Sequence, residues 1–104
     1  MKDKGEIFCR LMHLAKKRGL RVSFFPFNYY NGRLKGDHIG IRQTMESIDD
    51  YNYSLAHEIA HYFLHYDKGN TITSDRHEEY EEQADRAAKM LLAALSADGK
   101  DNEV

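Results

Sequence analysis

Two histidines four residues apart, His57 and His61, with an acid directly after the first, Glu58, spell H-E-x-x-H within Leu55-Ala56-His57-Glu58-Ile59-Ala60-His61-Tyr62-Phe63-Leu64-His65. On an α-helix, positions i and i+4 project from one face about a turn apart, so both imidazoles can offer a nitrogen to one metal ion. Glu58 can then reach a water polarised by that ion without becoming a ligand itself, the arrangement that metal-assisted peptide hydrolysis uses. A chain rich in His and Glu can spell these five letters by accident, so the surrounding residues have to carry the argument.

The motif needs a helix, and its start is visible. Ser47-Ile48-Asp49-Asp50 has the Ser-x-x-Asp form of a capping box, which predicts a helix from near Ser47 to about Tyr66. With His57 set to zero and 100° per residue, Ser54 falls at about 60°, His61 at about 40°, His65 at about 80° and Glu58 at about 100°, forming one polar stripe. Leu55, Ile59, Tyr62 and Tyr66 lie opposite, and Ala56, Ala60, Phe63 and Leu64 fill the remaining arc. A helix of this kind crosses the interior and opens on one side onto a cleft.

A catalytic zinc site takes three protein ligands and leaves a position for water, so one more side chain is needed. A further helix is predicted from His77 to Leu95, after a stop at Lys68-Gly69-Asn70 and a loop from Thr71 to Asp75 that offers Ser74 or Asp75 as cap. On that helix Ala84, Asp85, Ala88, Leu92 and Leu95 fall within about 60° of Glu81, which places Glu81 on the apolar stripe. A carboxylate there is costly without a cation, and two histidines holding a dication supply one. Glu81 is therefore the expected third ligand. Asp85, one turn on, is expected to accept the free N–H of His57 or His61 and so orient the ring. Glu82 shares an outer, salt-bridged sector with Glu78, Glu79, Arg86 and Lys89. His65 is expected to line the cleft rather than bind metal. Tyr53, Tyr62 and Tyr80 could donate to an oxyanion, although packing is the default role for each.

The rest of the chain frames these two helices. Ile7, Leu11, Leu14 and Ala15 repeat at helical spacing between Glu6 and Arg18, with Gly19 as stop. Leu20 to Phe27 reads as a strand that Pro26 ends or confines to an edge. Arg33-Leu34 and His38 to Gln43, punctuated by Asn31-Gly32 and Lys35-Gly36, read as a small antiparallel meander. The fold class is α+β, with about three helices and an antiparallel sheet of two or three strands, the minimal core of a zincin-like metalloprotease. Residues 1–95 are expected to form one domain and 96–104 a flexible tail.

At 104 residues, with 41% hydrophobic and 31% charged, the composition is that of a globular protein, and no apolar run approaches the roughly 20 residues of a membrane helix. With no secretory leader visible, the expected location is cytoplasmic. The single Cys9 excludes an internal disulfide and is expected at the core or its boundary. Residues 1–42 carry a net charge of +7 and residues 43–104 a net −9. The two halves are expected to neutralise each other, because the basic half lacks a compact cluster suited to nucleic acid.

Leu55 to His65 resembles the L-A-H-E-x-x-H-x-x-L-H motif of the ImmA/IrrE-type metallopeptidases. Glu81-Glu82-Gln83-Ala84-Asp85-Arg86-Ala87-Ala88-Lys89-Met90-Leu91-Leu92 is similar to that family's E-x-E-A-D-x-F-A-x-x-L-L. Gln83 stands in place of the second Glu, Ala87 in place of Phe, and Ala93-Ala94 in place of Met-Pro. The resemblance implies His57, His61 and Glu81 as ligands of one zinc ion and Glu58 as general base. It also implies a protein partner, a helix-turn-helix repressor of a prophage, mobile element or stress response, cleaved or otherwise relieved; a cytoplasmic monomer without direct contact to nucleic acid or membrane is the expected form of this chain. The alternative is a binding module that keeps the metal fold and acts as an antirepressor by contact alone. A structural zinc site in a nucleic-acid-binding domain fits less well, since Glu58 would then have no reason to stand beside a ligand.

Overall fold

A computed structural model describes residues 3–65 and 76–101. The order is α1 (Lys4–Lys17), β1 (Arg21–Phe25), β2 (Gly32–Lys35), β3 (His38–Arg42), α2 (Ile48–His65) and α3 (His77–Asp101). This is the expected α+β arrangement of three helices with a three-stranded sheet. The expected end of the motif helix at Tyr66, its stop at Lys68-Gly69-Asn70 and the loop and cap at Thr71 to Asp75 lie outside the described residues.

The caps follow local chemistry. Asp3 opens α1 by accepting from the Gly5 N–H at 3.2 Å, and Gly19 leaves it at φ 77°, a left-handed conformation that a side chain would resist. Ser47 Oγ accepts from the Asp50 N–H at 3.2 Å, so α2 starts at the predicted cap. Past Leu95, α3 continues to Asp101. The run Ala93-Ala94 suits a helix, and Ser96 is held within it by a hydroxyl bond to the Leu92 carbonyl at 2.8 Å.

The sheet departs from expectation in one pairing. Its order is β1-β3-β2, with β2 antiparallel to β3 as predicted but β1 parallel to β3, so the sheet is mixed. The chain reverses once between β1 and β2 and again between β2 and β3, and the third strand is then inserted between the first two. Two reversals leave it parallel to β1. Burial explains the insertion: Ile39, Gly40 and Ile41 make β3 the most buried strand, and a strand covered on both faces belongs in the middle. Pro26 follows the last residue of β1, itself an edge strand, as the missing donor requires.

Ile7, Leu11 and Ala15 of α1, Ile39 and Ile41 of β3, Leu55, Ala56 and Ile59 of α2 and Ala88 of α3 form one core cluster. Two placements differ from the sequence reading. Cys9 is exposed, because it stands about 200° around the helix from Ile7. Phe63 and Leu64 are exposed at 42% and 43%, with the Arg18 guanidinium over the Phe63 ring at 5.5 Å; the apolar arc of α2 outlasts the core that covers it. The two halves of opposite charge meet at the Lys4–Asp49 ion pair of 2.9 Å. Among the described residues no helix is long and apolar enough to cross a membrane.

Leu55, fully buried on α2, should report on this core. Its change to Ala is expected to cost about 2–5 kcal/mol in urea unfolding followed by circular dichroism; a loss well under 1 kcal/mol would place Leu55 outside the core.

Candidate metal centre

α2 and α3 bring three donors together. Nε2 of His57 lies 3.1 Å from Oε1 of Glu81, and Nε2 of His61 lies 2.8 Å from Oε2 of the same carboxylate. One ligand atom from each of the three residues falls within 4.8 Å of the other two. The two imidazoles meet nearly edge to face, 4.8 Å between centroids and 78° between planes, as residues one helical turn apart do when both turn toward one point. The donor set of two imidazoles and a carboxylate suits a divalent transition metal. Burial holds the His61 imidazole below its ordinary pKa in spite of Glu81, and the neutral ring is the form that binds a metal.

Glu58 lies at the mouth of this cluster, 7% exposed. Its carboxyl is raised from 4.5 to about 8, by burial first and by the Glu81 charge second, with Arg33 opposing. The neighbouring strand allows it no spare room: a Cβ on Gly32 would come within 3.1 Å of Glu58 Cγ and 3.2 Å of its Oε2. The glycine at the head of β2 is thus a close approach, a reason that the sequence pattern of glycines did not disclose. Glu58, His61, His65, His77 and Glu81 line one side of a cleft of about 1270 Å³, and β2 with Phe25, Phe27 and Tyr30 lines the other.

The expected partner of the ligands, Asp85, stands behind His57 at one remove. The Tyr53 hydroxyl donates to Asp85 Oδ1, and its oxygen lies 3.3 Å from His57 Nδ1. Tyr53 therefore faces the back of a histidine rather than an oxyanion, and the link it makes was not foreseen. The Tyr53 bond and then that of Lys89, 3.0 Å from Oδ2, hold the Asp85 carboxyl below the usual range. Burial and the Asp85 bond push the Tyr53 phenol up. Of the other tyrosines, Tyr62 packs against the core and Tyr80 is buried against the His65 ring. His65 is itself buried at 3%, with Nδ1 3.2 Å from His61 Nδ1. Glu82 pairs with Arg86 on the outer face. Of the remaining histidines, His38 Nε2 sits 2.8 Å from Ser23 Oγ on the sheet.

Two histidines on one helix and a carboxylate from the next form a group that could hold a metal ion, with a buried glutamate at the edge of the cleft beside it. The model of the peptidase M78 family, described as the IrrE N-terminal-like domain, matches residues 15–95, and the chain belongs to that family of metallopeptidases. No curated protein and no solved structure matches the chain.

The raised Glu58 carboxyl makes a prediction for the metal-free protein. Between 4.5 and about 8 the folded state keeps a proton that the unfolded state gives up, so stability falls as pH rises through that window. The lowered His61 pKa acts in the opposite sense, but only below its ordinary 6.5. From pH 6.5 to 8 the wild type should therefore lose roughly 1–2 kcal/mol in chemical denaturation. The Glu58→Gln protein should show a flat profile there; an equal slope in both would assign the titration elsewhere.

Proposed function

We propose that this protein is a zinc-dependent endopeptidase that cuts a peptide bond in a partner protein. One observation carries the reading: the His57, His61 and Glu81 donors converge beside a buried Glu58 that opens onto a cleft. His57, His61 and Glu81 would hold the zinc, which supplies Lewis acidity that polarises a carbonyl and brings the pKa of water toward neutrality. Glu58 accepts the proton of the attacking water and delivers it to the leaving amine nitrogen. Burial raises its pKa, and Arg33 restrains that rise.

The partner's backbone is positioned by the sheet. β2 pairs only with β3 among the described residues, so its outer edge offers unpaired backbone groups along the cleft, where an extended segment can add as a strand. Gly32 puts no side chain between that segment and Glu58. The partner class, a helix-turn-helix repressor, rests on the resemblance of the two sequence motifs, and a cytoplasmic monomer is the form proposed to meet it.

Glu58→Gln should bind zinc at one equivalent and lose about 10²–10⁴-fold in turnover when incubated with a helix-turn-helix repressor from a neighbouring reading frame and followed by intact-mass spectrometry. Cleavage by the Glu58→Gln protein at the wild-type rate would remove the general base from the mechanism. A repressor bound but left whole by the zinc-loaded wild type would establish the antirepressor alternative.

A further inference from the structure

Behind His61, on the side away from Glu81, runs a row of hydrogen-bonding side chains. His61 Nδ1 faces His65 Nδ1 at 3.2 Å, and His65 Nε2 faces Oε1 of Gln83 on α3 at 2.8 Å. His61 and His65 are 6% and 3% exposed, and the His65 ring packs on Tyr80 with 4.5 Å between centroids. Two ring nitrogens in contact share one proton, so with both rings neutral the row has two polarities.

In the first polarity, His61 Nδ1–H donates to His65 Nδ1 and His65 Nε2–H donates to the Gln83 carbonyl oxygen. His61 Nε2 then keeps its lone pair. In the second, the proton sits on His65 Nδ1, the Gln83 amide must turn its NH₂ to His65, and His61 carries N–H at Nε2, where it cannot bind a metal. The Glu81 carboxylate, 2.8 Å from that nitrogen, attracts the proton toward the second arrangement. Something must hold it on the other side. The Gln83 oxygen turned toward His65 is the terminus that the first polarity needs, and the lone-pair requirement at His61 reaches the same polarity from the opposite end.

We propose that His65 and Gln83 are positioning residues that set His61 in its metal-binding tautomer, an inference that rests on the metallopeptidase reading. The row moves no charge. It mirrors the arrangement behind His57: the Tyr53 hydroxyl spends its proton on Asp85, so its oxygen can only accept from His57 Nδ1–H, again leaving Nε2 for the metal. α3 thus contributes Glu81 to the cluster and the terminal acceptor of both rows.

The test uses zinc affinity, from competition with a chelator, in wild type, His65→Leu and His65→Asn, together with the His65 tautomer of the zinc-loaded wild type read by long-range ¹H–¹⁵N NMR. Asn can place an oxygen where Nδ1 stands, whereas Leu removes the acceptor. The expected results are His65 protonated on Nε2 alone, zinc bound about 10–100-fold more weakly by His65→Leu, and most of the affinity recovered in His65→Asn. A His65 proton on Nδ1, wild-type affinity in a folded His65→Leu protein, or an Asn variant as weak as Leu would overturn the proposal. Should His65→Leu not fold, the wild-type tautomer and the Asn variant decide. Wild type that takes up no zinc overturns this proposal and the peptidase reading together, whereas zinc uptake indifferent to His65 overturns this one alone.

Discussion

The close approach of α2 and α3 is the constraint on which the site depends. Two histidines on one straight helix offer two donors, and the third has to cross from a neighbour without a long side chain intervening. α3 meets this by burying Ala84 and Ala88 beside Tyr80, while α2 buries Ala56 and Ala60. Small residues let helix axes come near, and the Glu81 carboxylate reaches both imidazoles. The sheet contributes from the opposite side in the same way, with Gly32 in place of a side chain against Glu58.

Electrostatics then bears on what such a site can hold. Glu58 and Glu81 line one cleft with His61 and His65, and the Glu81 charge adds to the cost of ionising the buried Glu58. Burial first and the Glu81 charge second lift Glu58 to about 8, and a dication held by the histidines and Glu81 would lower that cost. The groups behind the cluster face the other way. Asp85 is held ionised by Tyr53 and Lys89, and the row through His65 ends on the Gln83 amide, so each imidazole is backed by an acceptor. The same cluster therefore favours a cation at its centre and lone pairs pointing at it.

Much of this was legible in the residues because helical periodicity is a local rule. The i and i+4 histidines, the Ser47 cap and the inward stripe that places Glu81 opposite them all follow from angles about a helix axis. The sheet order does not, because alternation along a strand says which face is buried and nothing about which strand lies between the others; β3 takes the centre through tertiary burial. The contacts that Gln83 and Tyr53 make were not foreseen for a related reason. A helical wheel reports direction, whereas their roles depend on reach across an interface, and Gln83 by angle belongs to an outer face. Exposure of Phe63 and Leu64 likewise reflects where the core ends, which no single helix encodes, whereas that of Cys9 follows from its angle to Ile7 on α1.

The central claim is that His57, His61 and Glu81 form one metal centre, and X-ray absorption at the zinc edge of protein loaded with one equivalent tests it most directly. The account predicts two imidazole nitrogens at about 2.0–2.1 Å with the remaining ligands oxygen, and loss of the imidazole signature in a His57→Ala, His61→Ala double variant. A sulfur ligand at about 2.3 Å, which the lone cysteine would have to supply, or an unchanged spectrum in the double variant would contradict it.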